Sequence, residues 1–307
     1  MSGVRVRNIA LTVLAVALAC VCQRKASPAH TSTAASAAAV DTGFPVQVQD
    51  DLDRTVVVRA APRRILSLLP SFTETVFALG AGDRIVGVDD YSDYPEATKA
   101  LPKLGGLYDT QVERALSLEP DLILVSEGSA VVTPLGRGGA AVWAGSPRKF
   151  EDVYRVIEMT GRLIGRAREA ALLVTQMRAQ IASIEASVSG LPLVSVYYEL
   201  DPSPYTVGPS SFIGVLIAKA GGSNIVPASL GDFPKINPEL VVSENPAVII
   251  GASLEDVEQR PGWAKISAVK QRRVFKWSSE EAHLVSRPGP RLPEGLRALA
   301  QRLHPAP

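Results

Sequence analysis

Two rhythms of hydrophobic and polar positions alternate along this chain of 307 residues. At 44–58 the period is two: VQVQ (46–49) and TVVV (55–58) predict an antiparallel hairpin. From Arg64 onward, short apolar runs alternate with helical stretches. ILSLL (65–69) predicts a buried strand. Pro70 and Ser71 then turn into a helix carrying Thr73, Val76, Phe77 and Leu79, closed by the glycines at 80 and 82. IVGV (85–88) predicts the next strand. The same sequence of elements returns later, with a strand at 194–198 (VSVYY), a helix at 211–220, a Gly221–Gly222 stop and a strand at Ile225–Val226. FALGAGDRIV (77–86) aligns with IAKAGGSNIV (217–226), so the two stretches are related.

A second pairing strengthens the repeat. ERALSLEPDLILV (113–125) reappears 126 residues further on as ELVVSENPAVIIG (239–251). Each copy places Glu at a helix start, Ser four residues on, Pro seven residues on, then an aliphatic run. Strands alternating with helices imply mostly parallel sheets covered on both faces. Between the copies, 147–189 has helical periodicity interrupted by Gly161 and Gly165, predicting helices at 150–163 and 166–188. The second carries Ala170, Leu173, Val174, Met177, Ile181 and Ile184 as a core-facing stripe. The fold class expected is α/β: two similar lobes, 44–164 and 190–307, joined by one long bridging helix (165–189), with a cleft between them.

The N-terminus changes the compartment. Arg5 and Arg7 precede an apolar run at 9–19, too short to span a bilayer and typical of a signal peptide. It ends in ALAC (17–20), which resembles a bacterial lipobox with Ala17 where Leu is usual. Residues 1–19 are therefore expected to be removed and Cys20 lipidated, anchoring the protein at a membrane surface on the periplasmic or outer face. Acyl chains hold by about 0.8 kcal/mol per buried methylene. The following 20–43 are rich in Ala, Ser and Thr without periodicity, and read as a tether.

Composition excludes several chemistries. The formal charge of +1 becomes −1 once Arg5 and Arg7 leave, which gives no basic face for nucleic acid. Both cysteines, Cys20 and Cys22, lie at the junction, so the folded part has no disulfide and no thiolate nucleophile. The histidines are His30 in the tether, His304 in the tail and His283, so a zinc site of several imidazoles is not available. No Gly-x-Ser-x-Gly elbow is present. Neither a resident metal nor a cofactor is expected, and the chain reads as a binder rather than an enzyme.

From 64 to 303 the chain resembles the helical-backbone class of ABC-importer solute-binding proteins, the cobalamin, iron-siderophore and haem group. The motifs are RILSLLPSFTETVFALGAGDRIVGV, DYSDYPEA, LPKLGG, the two Glu-bearing helix starts and SRPGPRLPEGLRALA (286–300). DYSDYP (90–95) is most similar to the cobalamin-binding branch. The resemblance implies a monomer that holds a small molecule between its lobes and docks on a permease dimer served by an ATPase. Glu113 and Glu239 would then face arginines of the permease. Each also fits a local role, Glu113 in a Thr110–Glu113 capping box and Glu239 in the first turn after Asn237 and Pro238.

Open α/β sheets bind ligands at the carboxyl ends of their strands. On that rule the ligand contacts are Tyr91, Tyr108, Tyr205 (in the loop after Tyr198) and Phe233. By motif, Tyr91, Tyr205 and Phe233 sit where cobalamin binders carry aromatics, and a flat macrocycle needs such rings. Two positions depart from that branch. Ser126–Glu127 stands where a Trp is usual, and a final cleft loop reads SEEAH (279–283), with Trp277 read as a strand residue. The resemblance implies a corrinoid ligand, and the two departures open the pocket to a different corrinoid, with a ferric siderophore or haem as the alternative. His283 or a tyrosine would serve as an iron ligand in the haem case. An orphan surface receptor, or an enzyme on a similar two-lobed scaffold, remains a third reading. Neighbouring genes for a permease and an ATPase would favour transport.

Overall fold

The computed structural model describes residues 43–305. The signal peptide, Cys20 and all of the tether before Gly43 lie outside the described residues. The chain opens with the expected hairpin, β1 (Val46–Gln49) antiparallel to β2 (Thr55–Val58), with Val46 opposite Val58.

The first half follows as β3 (Ile65–Ser67), α1 (Pro70–Ala78), β4 (Ile85–Val88), α2 (Val112–Ser117), β5 (Leu122–Val125), α3 (Val132–Gly136) and β6 (Ala141–Ala144). Its strands form one parallel sheet in the order β4-β3-β5-β6. Two helices then cross over, α4 (Asp152–Leu163) and the 22-residue α5 (Ala167–Val188). The second half is β7 (Val194–Asp201), β8 (Tyr205–Thr206), α6 (Phe212–Lys219), β9 (Gly222–Asn224), α7 (Pro238–Glu244), β10 (Val248–Ile250), α8 (Leu254–Glu258), α9 (Ser267–Lys270), β11 (Val274–Phe275), α10 (Ser279–Ser286) and α11 (Leu292–Leu303). Here β9, β7, β10 and β11 pair in parallel, and β8 runs antiparallel beside β7. The orders β4-β3-β5-β6 and β9-β7-β10-β11 match strand for strand, so the repeat read in the sequence is a repeat of topology.

Packing follows from the period of two in strands buried on both faces. Ile65, Leu122 and Leu124 face one hydrophobic cluster, while Leu66, Ile123 and Val125 face another. The second sheet does the same, with Val196, Tyr198, Val248 and Ile250 on one side and Tyr197 and Ile249 on the other. The first cluster is shared by both halves. It takes Phe72 and Val76 of α1, Val174, Met177 and Ile181 of α5, Leu216 of α6 and Leu296 of α11. The predicted stripe on α5 is buried at Ala170, Val174, Met177, Ile181 and Ile184, and Leu173 is partly covered.

Local readings need correction in five places. The strand expected at Ile225–Val226 is instead β9, where Gly222–Asn224 pair with Val194–Val196. Tyr205 is in a short strand rather than a loop. Trp277 lies after β11, buried, with its indole N–H donating to the Tyr198 hydroxyl at 3.1 Å. The segment 279–283 is helical, because Ser278 and Glu281 form a capping box that starts α10. Thr110 and Glu113 form no such box; Gln111 is the N-cap of α2, and the Thr110 hydroxyl donates to the Gly106 carbonyl at 2.6 Å.

Candidate functional site

Parallel strands bring every β-to-α loop of a sheet to one edge. On the first sheet that edge carries 68–69, 89–111, 126–131 and 145–151; on the second it carries 202–211 (with the short β8 inside it), 225–237, 251–253 and 276–278. The four expected ligand contacts all lie there and all present their rings: Tyr91 is 68%, Tyr108 93%, Tyr205 45% and Phe233 60% exposed.

They fall into two pairs. Tyr91 and Tyr108 share the first half: the Tyr91 ring lies so close over Gly106 that a Cβ there would sit 3.0 Å from it. Tyr205 and Phe233 share the second, where Thr206 N–H donates to Pro234 O at 3.1 Å and Gly208 N–H to Asp232 O at 2.8 Å. Gly208 permits this approach, since a Cβ at that position would meet Gly231 O at 1.9 Å.

The loop bearing Tyr91 is held from beneath by a chain of buried hydroxyls. Ser67, Thr73 and Ser92 link at 2.7 and 2.8 Å, and Ser92 donates to the Asp89 carboxylate at 2.5 Å. Asp89 also accepts the Tyr91 N–H at 2.9 Å. Burial pushes the Asp89 pKa above its ordinary value, although Ser92, the Tyr91 N–H and Lys103 work against it. Asp90 ties the same loop to its neighbour, accepting the Gly105 N–H at 2.9 Å.

A second set of contacts reaches the loop from the far end of the chain. Arg287 donates to Tyr91 O at 3.0 Å, to Asp93 at 2.6 Å and to Glu74 at 3.3 Å. Arg291 takes Glu74 in a two-point contact at 2.9 and 2.6 Å and lies 3.8 Å over the Tyr94 ring. Glu74 is buried, with 2% of its side chain exposed. His283 Nδ1 lies 3.4 Å from Asp93. Burial, then the Arg287 charge, pushes the His283 pKa below its ordinary value, which works against an ion pair with Asp93. Burial alone would raise Asp93, but the Arg287 hydrogen bond and charge outweigh it and hold the carboxyl below its usual range. Beside this cluster a cavity of about 450 Å³ spans the two halves, lined by Asp93, Tyr94 and Lys99 from one and by Glu280, His283 and Arg291 from the other.

Glu113 and Glu239 occupy equivalent places. Each is exposed, each is the second residue of a short helix, and each helix precedes the matching strand, β5 or β10. Asn237 caps the second helix by accepting the Glu239 N–H at 3.0 Å. Glu239 borders a cavity of about 500 Å³ walled by Pro202, Pro204, Pro238, Pro261 and Trp263. At the departure from the aromatic pattern, Glu127 is committed to Ser146 at 2.6 Å and Arg148 at 3.1 Å.

Sequence reading did not single out Glu74, Arg287 and Arg291. One signal was present: Glu74 is the only charged residue in PSFTETVFA, a helix otherwise fit for burial. Among the described residues, no group of three or more His, Cys, Asp or Glu is placed to hold a metal ion, and no helix is long and apolar enough to cross a membrane.

A family model described as periplasmic binding protein matches residues 65–281. The chain is 33% identical to an uncharacterised ABC-transporter substrate-binding lipoprotein, YvrC, of Bacillus subtilis, over 85% of this chain and 86% of that protein. It is 30% identical to a cobalamin-binding protein of Halobacterium salinarum, over 85% of this chain and 74% of the relative. Its structure is similar to that of a possible iron-binding periplasmic solute-binding protein from Staphylococcus epidermidis, with a TM-score of 0.71 and 30% identity over 80% of this chain and 99% of that one.

Proposed function

We propose, from the premise that this chain belongs to the periplasmic binding protein family, that it captures a corrinoid, a cobalamin-like macrocycle, outside the cytoplasm and delivers it to an ABC importer. The observation that carries this reading is the presentation of Tyr91, Tyr108, Tyr205 and Phe233, two from each half, as exposed rings on segments tied down by backbone hydrogen bonds, three on loops and Tyr205 on the short strand β8. A broad apolar ligand gains most from rings that are already ordered before it arrives. The DYSDYP loop and the likeness to a cobalamin-binding protein support the corrinoid.

Delivery rests on the equivalent positions of Glu113 and Glu239, offered to a permease dimer that works with its ATPase. The protein acts as a monomer and a non-enzymatic binder, held at the membrane by lipid on Cys20, as the name of its lipoprotein relative supports. Haem or a ferric siderophore is the second reading. It is favoured by His283 and Asp93 in the cavity between the halves and by the likeness to a possible iron-binding protein.

Titration of the purified domain with cyanocobalamin, haemin and ferrichrome, followed in the visible spectrum, tests the choice. Tight binding of cyanocobalamin alone is expected. Tight binding of haemin or ferrichrome with none of cyanocobalamin would replace the corrinoid by the iron-chelate reading.

A further inference from the structure

The loop that presents Tyr91 belongs to the first half of the chain, but the group that fixes it comes from the other end. Arg287 is 196 residues away from Tyr91 and follows α10 of the second half. Its side chain is 11% exposed, and its guanidinium meets three acceptors: the Tyr91 carbonyl, the Asp93 carboxylate and the buried Glu74. Pro288 and Pro290 stiffen the segment behind it, and Gly289 passes Ser71 of α1, where a Cβ would stand 3.6 Å from the Ser71 Cα. With its N–H on Asp89 and its carbonyl on Arg287, Tyr91 has both backbone groups engaged while its ring stands in solvent.

From this we infer that Arg287 is a positioning residue for ligand capture: by bridging Tyr91 O, Asp93 and Glu74 it sets the Tyr91 ring from the opposite half. The inference rests on the reading of Tyr91 as a ligand contact. The fork shape of the guanidinium is what the role requires. A planar group with fixed N–H directions serves several acceptors at once, whereas an ammonium is a point charge on a flexible stem. A loop ordered in advance loses less freedom when ligand binds.

The test compares Arg287→Ala and Arg287→Lys with Arg155→Met. Arg155→Met removes another two-point arginine–carboxylate pair, the one with Asp51, whose carboxylate takes its other hydrogen bond from the Ser146 N–H and not from the Tyr91 loop. The first readout needs no ligand. Hydrogen exchange at the amides of 90–92 and 105 should quicken at least tenfold in Arg287→Ala and stay near wild type in Arg155→Met. The second uses cyanocobalamin and haemin as probes. Arg287→Ala should weaken the bound probe about tenfold, and less than twofold further in a Tyr91→Ala background, because the two act through one contact. Arg287→Lys should restore thermal stability but neither slow exchange nor affinity.

Unchanged exchange in Arg287→Ala would overturn the proposal, and so would full recovery of affinity with lysine, since charge alone would then suffice. If Tyr91→Ala weakens binding but Arg287→Ala does not, the positioning role fails and the ligand-contact reading stands. If Tyr91→Ala changes neither probe, the ligand-contact reading fails and takes the positioning role with it.

Discussion

Replacing Arg291 by Met exposes how much the cross-half cluster holds. In the folded chain Arg291 and Glu74 are 10% and 2% exposed and meet through two hydrogen bonds of 2.9 and 2.6 Å. Breaking a buried pair by removing one partner costs about 3–5 kcal/mol, because the remaining charge is left without compensation. Arg287 still reaches Glu74, but at 3.3 Å and while shared with Asp93, so the lower end applies. Loss of the guanidinium over the Tyr94 ring at 3.8 Å adds about 1 kcal/mol. The expected destabilisation is about 3–4 kcal/mol, which for a chain of this size lowers the melting temperature by about 6–8 °C. Urea unfolding and calorimetry measure both quantities. The pair Glu74→Met with Arg291→Met then separates the causes. Two apolar side chains of similar volume cost little in place of a buried ion pair, so the double variant should be more stable than Arg291→Met alone. A single substitution costing under about 1 kcal/mol, or a double variant less stable than the single, would refute the account of Glu74 as a buried charge dependent on Arg291.

Three further outcomes follow from the geometry. Tyr91→Ala and Phe233→Ala should each weaken ligand about tenfold to a hundredfold by calorimetric titration, with stability changes within about 0.5 kcal/mol because both rings are solvent-facing. Glu113→Ala with Glu239→Ala should leave ligand affinity intact and cost about 0.3–1 kcal/mol per helix start, yet abolish uptake in a transport assay; normal uptake would remove the docking role. The His283 pKa is pushed below its ordinary 6.5 by burial, then by Arg287, so the folded chain binds that proton less readily than the unfolded one. Stability should therefore be full above about pH 6.5 and fall as pH drops below it; His283→Gln should flatten that slope in urea melts, and an unchanged slope would assign it elsewhere.

What the chain discloses in advance is what its local pattern decides. The runs at 65–68, 122–125 and 248–250 are buried on both faces, as interior parallel strands are, and their alternation with helix signals in two aligned copies made the doubled topology readable. Boundaries were not, where pairing overrides side-chain preference. Ile225 and Val226 look more like a strand than Gly222–Asn224, yet the latter align with Val194–Val196, and Ile225 only closes the ladder with one bond to Val196 O. Tyr205, between Pro204 and a buried Thr206, reads as loop because its strand is two residues long and is defined by β7.

One sequence pattern makes the limit sharper, because it occurs twice with opposite results. Ser278-x-x-Glu281 and Thr110-x-x-Glu113 carry the same capping signature. In the first, Ser278 and Glu281 exchange hydrogen bonds and start α10, which a reading of SSEEAH as a polar loop overlooks. In the second, Gly105 adopts a φ of +90° and turns the chain so that the Thr110 hydroxyl is used by Gly106 O, leaving Gln111 to begin α2 without a side-chain cap. Glu113 is thereby released from the local role its spacing suggests and stays exposed at the start of α2. The same logic governs Glu74. Its solitary charge within an apolar helix demands a cation, but which cation cannot be read locally when the partners lie 213 and 217 residues away. Local spacing therefore proposes partners, and the backbone turns and cross-half contacts that surround them decide which are kept.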